Sequence, residues 1–187
     1  MSIIQLILNE HKVIVQYIQL INNIILNLKN KKEIGMDDIN FIVEFYRNYI
    51  DKHHHKLEEI VFPLLMKNNS IETEGIIELI INEHDMGGDF ITEIGRLIQN
   101  GDEFFSQSLD SLTSLLHRFA FSMTNHIEKE NKFLQNLLTK QIDQFSIIDL
   151  NNETKNIEHI ILEDDKKEFF EIKIEELLKY YKTPIYN

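Results

Sequence analysis

The sequence predicts an all-α protein: a four-helix up-down-up-down bundle with a C-terminal helical extension. Three observations carry this. Helix breakers are scarce, with two prolines and six glycines in 187 residues. Four long segments repeat apolar residues at i, i+3, i+4 and i+7, the spacing of an amphipathic helix. The links between them are short, which makes successive helices antiparallel neighbours.

The first helix is expected from Ser2, whose side chain can cap it, to about Asn30. Its stripe of Ile4, Ile7, Leu8, Ile14, Val15 and Ile18 includes His11. After a polar link, Asp37 or Asp38 is expected to cap a second helix running to about Met66. Its inward stripe reads Phe41, Phe45, Ile50, His54, Leu57, Glu58, Val61 and Leu65, with Pro63 marking the last turns. Asn69 and Ser70 precede a third helix, from about Ile71 to Asn100, with His84 among Ile77, Ile80, Ile81, Ile91 and Ile94. Gly87 and Gly88 follow on the histidine face and suggest close packing or space beside it. The fourth helix, from about Ser106 to Lys140, carries His126 and Glu130 in a stripe of Leu112, Leu116, Phe119, Met123, Phe133 and Leu137. Residues 1–140 therefore read as the bundle. Residues 141–187 read as a polar linker and an extension of one or two amphipathic helices that caps the bundle or makes a dimer contact, so monomer and homodimer both stay open.

A net charge of −12 argues against nucleic acid and against an anionic membrane surface. The absence of cysteine excludes disulfides and thiolate chemistry. The apolar run Ile3–Leu8 has no basic region before it and continues as amphipathic helix, which is not the pattern of a secretory signal. No run of about 18 uninterrupted apolar residues spans a membrane. A cytoplasmic protein is expected.

The chemistry lies where polar groups interrupt apolar stripes. His54 and Glu58 are four apart and share a helical face, and His126 and Glu130 repeat that pair. One His-x-x-x-Glu is common on a solvated face. Two copies in alternate helices, each on an apolar stripe, with single inward histidines between, outweigh a reading as hydrogen-bonded core histidines. Such a nitrogen and oxygen set suits iron or manganese better than calcium, and a carboxylate can bridge two cations about 3.5–4 Å apart. His53, His117 and His159 read as surface or supporting groups, and Glu10, Glu83 and Asp51 as possible partners of the ring nitrogens or as solvated residues. Glu-x-x-His repeats of the ferritin type are absent.

Glu10-His11, the run from His54 to Glu59 followed by Phe62-Pro63, Glu83-His84, and the run from His126 to Glu130 together resemble the hemerythrin-like, or HHE cation-binding, family over about residues 1–140. The likeness points to its bacterial and archaeal branch. It implies a non-haem pair of iron ions, oxo- or hydroxo-bridged, held by His11, His54, Glu58, His84, His126 and Glu130. A second histidine expected in the third helix is replaced by Ile80, so His55 or Glu59 is a further candidate ligand. The resemblance implies binding or sensing of dioxygen, nitric oxide or peroxide, at a position opened by that missing histidine. Iron storage, repair or sensing is the alternative, as is an enzyme that removes peroxide or nitric oxide. A binding protein is expected over a dedicated enzyme.

Overall fold

The computed structural model describes residues 2–67, 71–99, 102–139 and 164–182. All regular structure among them is helical: α1 (Ile3–Lys29), α2 (Met36–Phe45), a π-helical segment (Tyr46–His54), α3 (His55–Lys67), α4 (Ile71–Gln99), α5 (Asp102–Thr139) and α6 (Asp164–Tyr180). α2, the π segment and α3 follow without a break and make the second rod of a four-rod bundle. α1 packs on α5 and α6, α5 on α4, and α4 on the second rod. None of the described helices is long and apolar enough to cross a membrane. The expected Asn69–Ser70 cap, the linker over 141–152 and the first part of the extension lie outside the described residues.

Local chemistry sets the helix ends. The Ser2 side chain accepts from Gln5 N at 3.2 Å, as expected of an N-cap. α1 closes with Lys32 N donating to Asn27 O (3.0 Å) and Lys31 N to Leu28 O (2.9 Å), the paired bonds of a Schellman end. This places Lys31 at φ 56°, a left-handed conformation normally given to glycine. The second rod departs from the expectation at its start. Gly35 occupies the cap without a side-chain bond, and Asp37 and Asp38 lie inside the first turn. There their charges favour the positive helix end, and Asp38 also accepts from the Tyr181 hydroxyl after α6. Pro63 lies in the last turns of α3, as expected.

The π segment is the main departure from a plain helical reading. Its i→i+5 turn is wider than an α turn, so successive residues diverge less around the axis. Tyr46, Tyr49, Ile50, His53 and His54 are all buried on it, and His55 directly after is buried too.

The apolar core forms two clusters with a polar seam between them. On α1 the lower cluster holds Ile3, Ile4 and Ile7, and the upper begins at Ile14. On the second rod the upper cluster reaches Ile50 and the lower begins at Leu57. On α4 the break falls between Ile80 and Ile91, and on α5 between Ile127 and Phe133. His11, His54, Glu58, His84, His126 and Glu130 fall in or at the edge of these breaks. Four helices thus bring their polar positions to one level.

Candidate metal centre

Seven side chains meet in the seam as two groups. His11, His54, Glu58 and Glu130 form one, and His55, His84 and His126 form the other. The two carboxylates face both groups. Glu58 Oε1 lies 3.4 Å from His54 Nε2 and 3.7 Å from His11 Nε2, while its Oε2 lies 3.3 Å from His84 Nε2. Glu130 Oε2 lies 3.3 Å from His11 Nε2, while its Oε1 lies 3.4 Å from both His84 Nε2 and His126 Nε2. Each carboxylate therefore turns one oxygen to each histidine group.

These separations exceed those of good hydrogen bonds. They suit donors arranged around an ion: ligands about 2.1 Å from a metal and at right angles stand about 3 Å apart. Both oxygens of Glu58, Oε2 of Glu130 and Nε2 of His55 are buried without a hydrogen-bond partner. Both glutamate side chains are 0% exposed. Orphaned anionic oxygens at zero exposure are among the costliest arrangements in a protein interior. Cations held in these groups would satisfy the orphaned atoms, so the residues present fit bound metal cations. His11 Nε2 and His54 Nε2 also face each other at 3.1 Å, which requires a proton or a cation between their lone pairs.

Without a cation, protons supply the positive charge. Burial alone would push His11 and His84 down, but Glu130 and Glu58 beside them override it and hold His11 at about 10 and His84 at about 9. Burial and mutual repulsion oppose the ionised forms of the two glutamates, yet the surrounding histidines keep both well below the usual carboxylate range. His55 behaves differently. Burial pushes it down to about 4 against the opposing pull of Asp51, so its ring is neutral at physiological pH.

The outer ring nitrogens have partners that orient them. His54 Nδ1–H donates to Glu10 Oε2 (3.0 Å), His11 Nδ1–H to Asn131 Oδ1 (2.9 Å), and His126 Nδ1–H to Glu83 Oε2 (3.1 Å). Each bond leaves Nε2 as the free donor atom in the seam, the arrangement by which outer partners fix a ligating histidine. Glu10 is only 2% exposed, and it accepts further bonds from His53 Nε2–H (2.7 Å) and from Lys167 of α6 (2.7 Å). Burial would raise its pKa, but His53 and His54 hold it far below normal. Glu83 likewise pairs with Lys129. On α4, Tyr46 Oη–H donates to His84 O (3.1 Å), and a Cβ on Gly87 would collide with that hydroxyl.

All six residues expected from the sequence pattern come together here, and His55 joins them. It stacks on His84 with ring centroids 3.7 Å apart and planes 9° apart. Glu59, the other further candidate, stands apart from both groups, 53% exposed and paired with Lys56. Ile80 is fully buried in the lower apolar cluster. The group poor in histidine is His11/His54, on α1 and the second rod. It is not the group beside α4, where the missing histidine pointed. His53 supports Glu10, His117 is exposed, and His159 lies outside the described residues. Glu10 and Glu83 make cross-helix bonds that outweigh a solvated role. Asn131 and Lys167 escaped the sequence reading. Asn131 adjoins Glu130 on the same turn, which was an available signal; Lys167 had none.

A family model described as the hemerythrin HHE cation binding domain matches residues 2–138. Neither the comparison with curated proteins nor that with solved structures returns a match.

Proposed function

The chain belongs to the hemerythrin HHE cation-binding family, and from that premise we propose that it holds two iron ions in the seam and binds or senses a small ligand there: dioxygen, nitric oxide or peroxide. One observation carries the reading. Glu58 and Glu130 each divide their two oxygens between two histidine groups, all at one level and away from water. His11 and His54 would hold one ion; His55, His84 and His126 would hold the other; the glutamates would span both. When bound, the iron pair supplies redox capacity and coordination positions for a small ligand.

The chain's own residues decide which position is open. The His55/His84/His126 side offers three nitrogens and two oxygens, and the His11/His54 side two nitrogens and two oxygens. The side with fewer donors leaves more room for an incoming ligand. It is also the drier side, since both of its rings are 1% exposed. Glu10 and Asn131 hold those two rings in place, and the two apolar clusters above and below exclude water. Iron sensing or storage is a second reading, supported by the two carboxylate charges, on Glu58 and Glu130, that the cation-free seam must balance with protons. Binding that completes such a seam would couple metal to folding.

The test is metal content per chain, with an absorption spectrum in air, after anaerobic reduction and after oxygen is returned. About two irons per chain with bridging charge-transfer bands supports the reading. A band that comes and goes with oxygen favours reversible binding, and irreversible oxidation favours sensing or iron handling. A folded protein that takes up no iron would overturn it.

A further inference from the structure

We propose that the cleft between α3 and α4 is the inlet by which hydrated divalent cations reach the centre, drawn by Asp51, Glu59, Asp85 and Asp89 at its rim. The inference rests on the reading of the seam as a metal centre. The cleft has a volume of about 480 Å³, and His55 and His84 line it. Of the seven seam side chains His84 is the most exposed, at 11%, and the others are at 4% or less. The seam side chain most open to water is therefore on this cleft. His55 Nε2, buried and without a partner, is a vacant donor atom on this cleft.

Charge and space both fit a cation. The four carboxylates come from three elements: Asp51 from the π segment, Glu59 from α3, and Asp85 and Asp89 from one face of α4. Among the described residues, Lys56 beside Glu59 is the lysine at ion-pair distance from this rim, and none stands so close to Asp85 or Asp89. Gly88 lines the cleft, and a Cβ there would meet nothing within 4 Å. Its neighbour Gly87 makes room for Tyr46, so the two glycines do different work: one permits packing and the other leaves the cleft wide. A second cleft of about 460 Å³ lies against His11 on the opposite side of the seam. It is lined by Lys12, Asn9, Asn131 and Gln135, with no carboxylate. The field draws cations to one side.

The experiment follows cobalt(II) uptake by the metal-free full chain in stopped flow, reading the visible bands of the bound ion. Asp85→Asn with Asp89→Asn removes the charge at constant volume. Gly88→Phe fills the cleft from a helical position with open space. Glu44→Gln with Asp110→Asn, exposed residues on other faces, matches the change in net charge. The Asp85/Asp89 variant is expected to load about tenfold more slowly, the lower range of electrostatic steering. Gly88→Phe is expected to load more slowly by obstruction, and both are expected to reach the wild-type cobalt content. The Asp85/Asp89 variant, which keeps Asp51 and Glu59, should also show a weaker salt dependence of the rate. Wild-type rates in both cleft variants, or equal slowing in the matched control, would overturn the inlet. A wild-type chain that binds no cobalt at all would instead overturn the metal centre itself.

Discussion

The two halves of the seam solve one problem in opposite ways. The His11/His54 half has few donors, each tightly held. Its two rings are 1% exposed and their outer nitrogens are bonded at 2.9 and 3.0 Å to Asn131 and Glu10. The His55/His84/His126 half has more donors, two of them held more loosely. His84 touches solvent, and His55 faces Asp51 across 3.8 Å, beyond a hydrogen bond. Rigidity and donor number are therefore traded between halves. An ion with fewer ligands would need each of them oriented, whereas one with three histidines would tolerate a less firmly held ring at a water-facing edge. Only Glu58 and Glu130 are common to both.

That difference orders the expected effects of mutation. Glu130→Ala removes an oxygen from each half and is expected to take metal content from about two ions to none, by elemental analysis after dialysis. His55→Leu touches one half alone. It should weaken one ion about 10–100-fold in a chelator competition and leave the other as in wild type. Loss of both ions together in His55→Leu would show that the halves are not separable.

Glu10→Gln probes the oriented half from outside. The neutral amide is a poorer acceptor for His54 Nδ1–H, so the His11/His54 ion should weaken about 10–100-fold while the other holds. Lys167→Met acts one bond further out, on Glu10, and only a few-fold effect in the same direction is expected. Equal effects on both ions would contradict the division into halves.

The cation-free protein should respond to pH in a definite direction. His11 and His84 have folded-state values raised to about 10 and about 9 from 6.5. Their contribution to stability is fully present below about pH 6.5 and is lost as pH rises through 9–10. Thermal melts of the metal-free chain at pH 6, 8 and 10 should show a falling Tm. The loaded protein should do the reverse over the acid side of that range, since protons compete with cations for the same ring nitrogens. The smallest effect lies far from the seam. Lys31→Gly relieves a left-handed residue at the end of α1 and should stabilise by about 1 kcal/mol, with no change in metal content.

Much of the bundle was legible because the four stripes are long and each is interrupted by polar residues at one level. Periodicity failed at the π segment. A reading at 100° per residue forces a choice among His53, His54 and His55, and spacing to Glu58 selects His54. The wider turn removes that choice and buries all three, which lets His54 face His11 while His55 faces His84. No residue pattern announces such a turn. Glu10 and Glu83 looked like surface residues because each lies one step round from an inward histidine. Their bonds go to a neighbouring helix, and that depends on tertiary level. The apolar pattern of α6 shows that one face is covered but not by what, so Lys167 on Glu10 was out of reach.

The sharing of Glu58 and Glu130 by two ions, as proposed, is tested most directly by the anomalous scattering map of the iron-loaded crystal. Two peaks about 3.5–4 Å apart, one beside His11 and His54 and one beside His55, His84 and His126, are expected. A single peak, or two peaks too far apart for one carboxylate to span, would show that Glu58 and Glu130 do not join two ions.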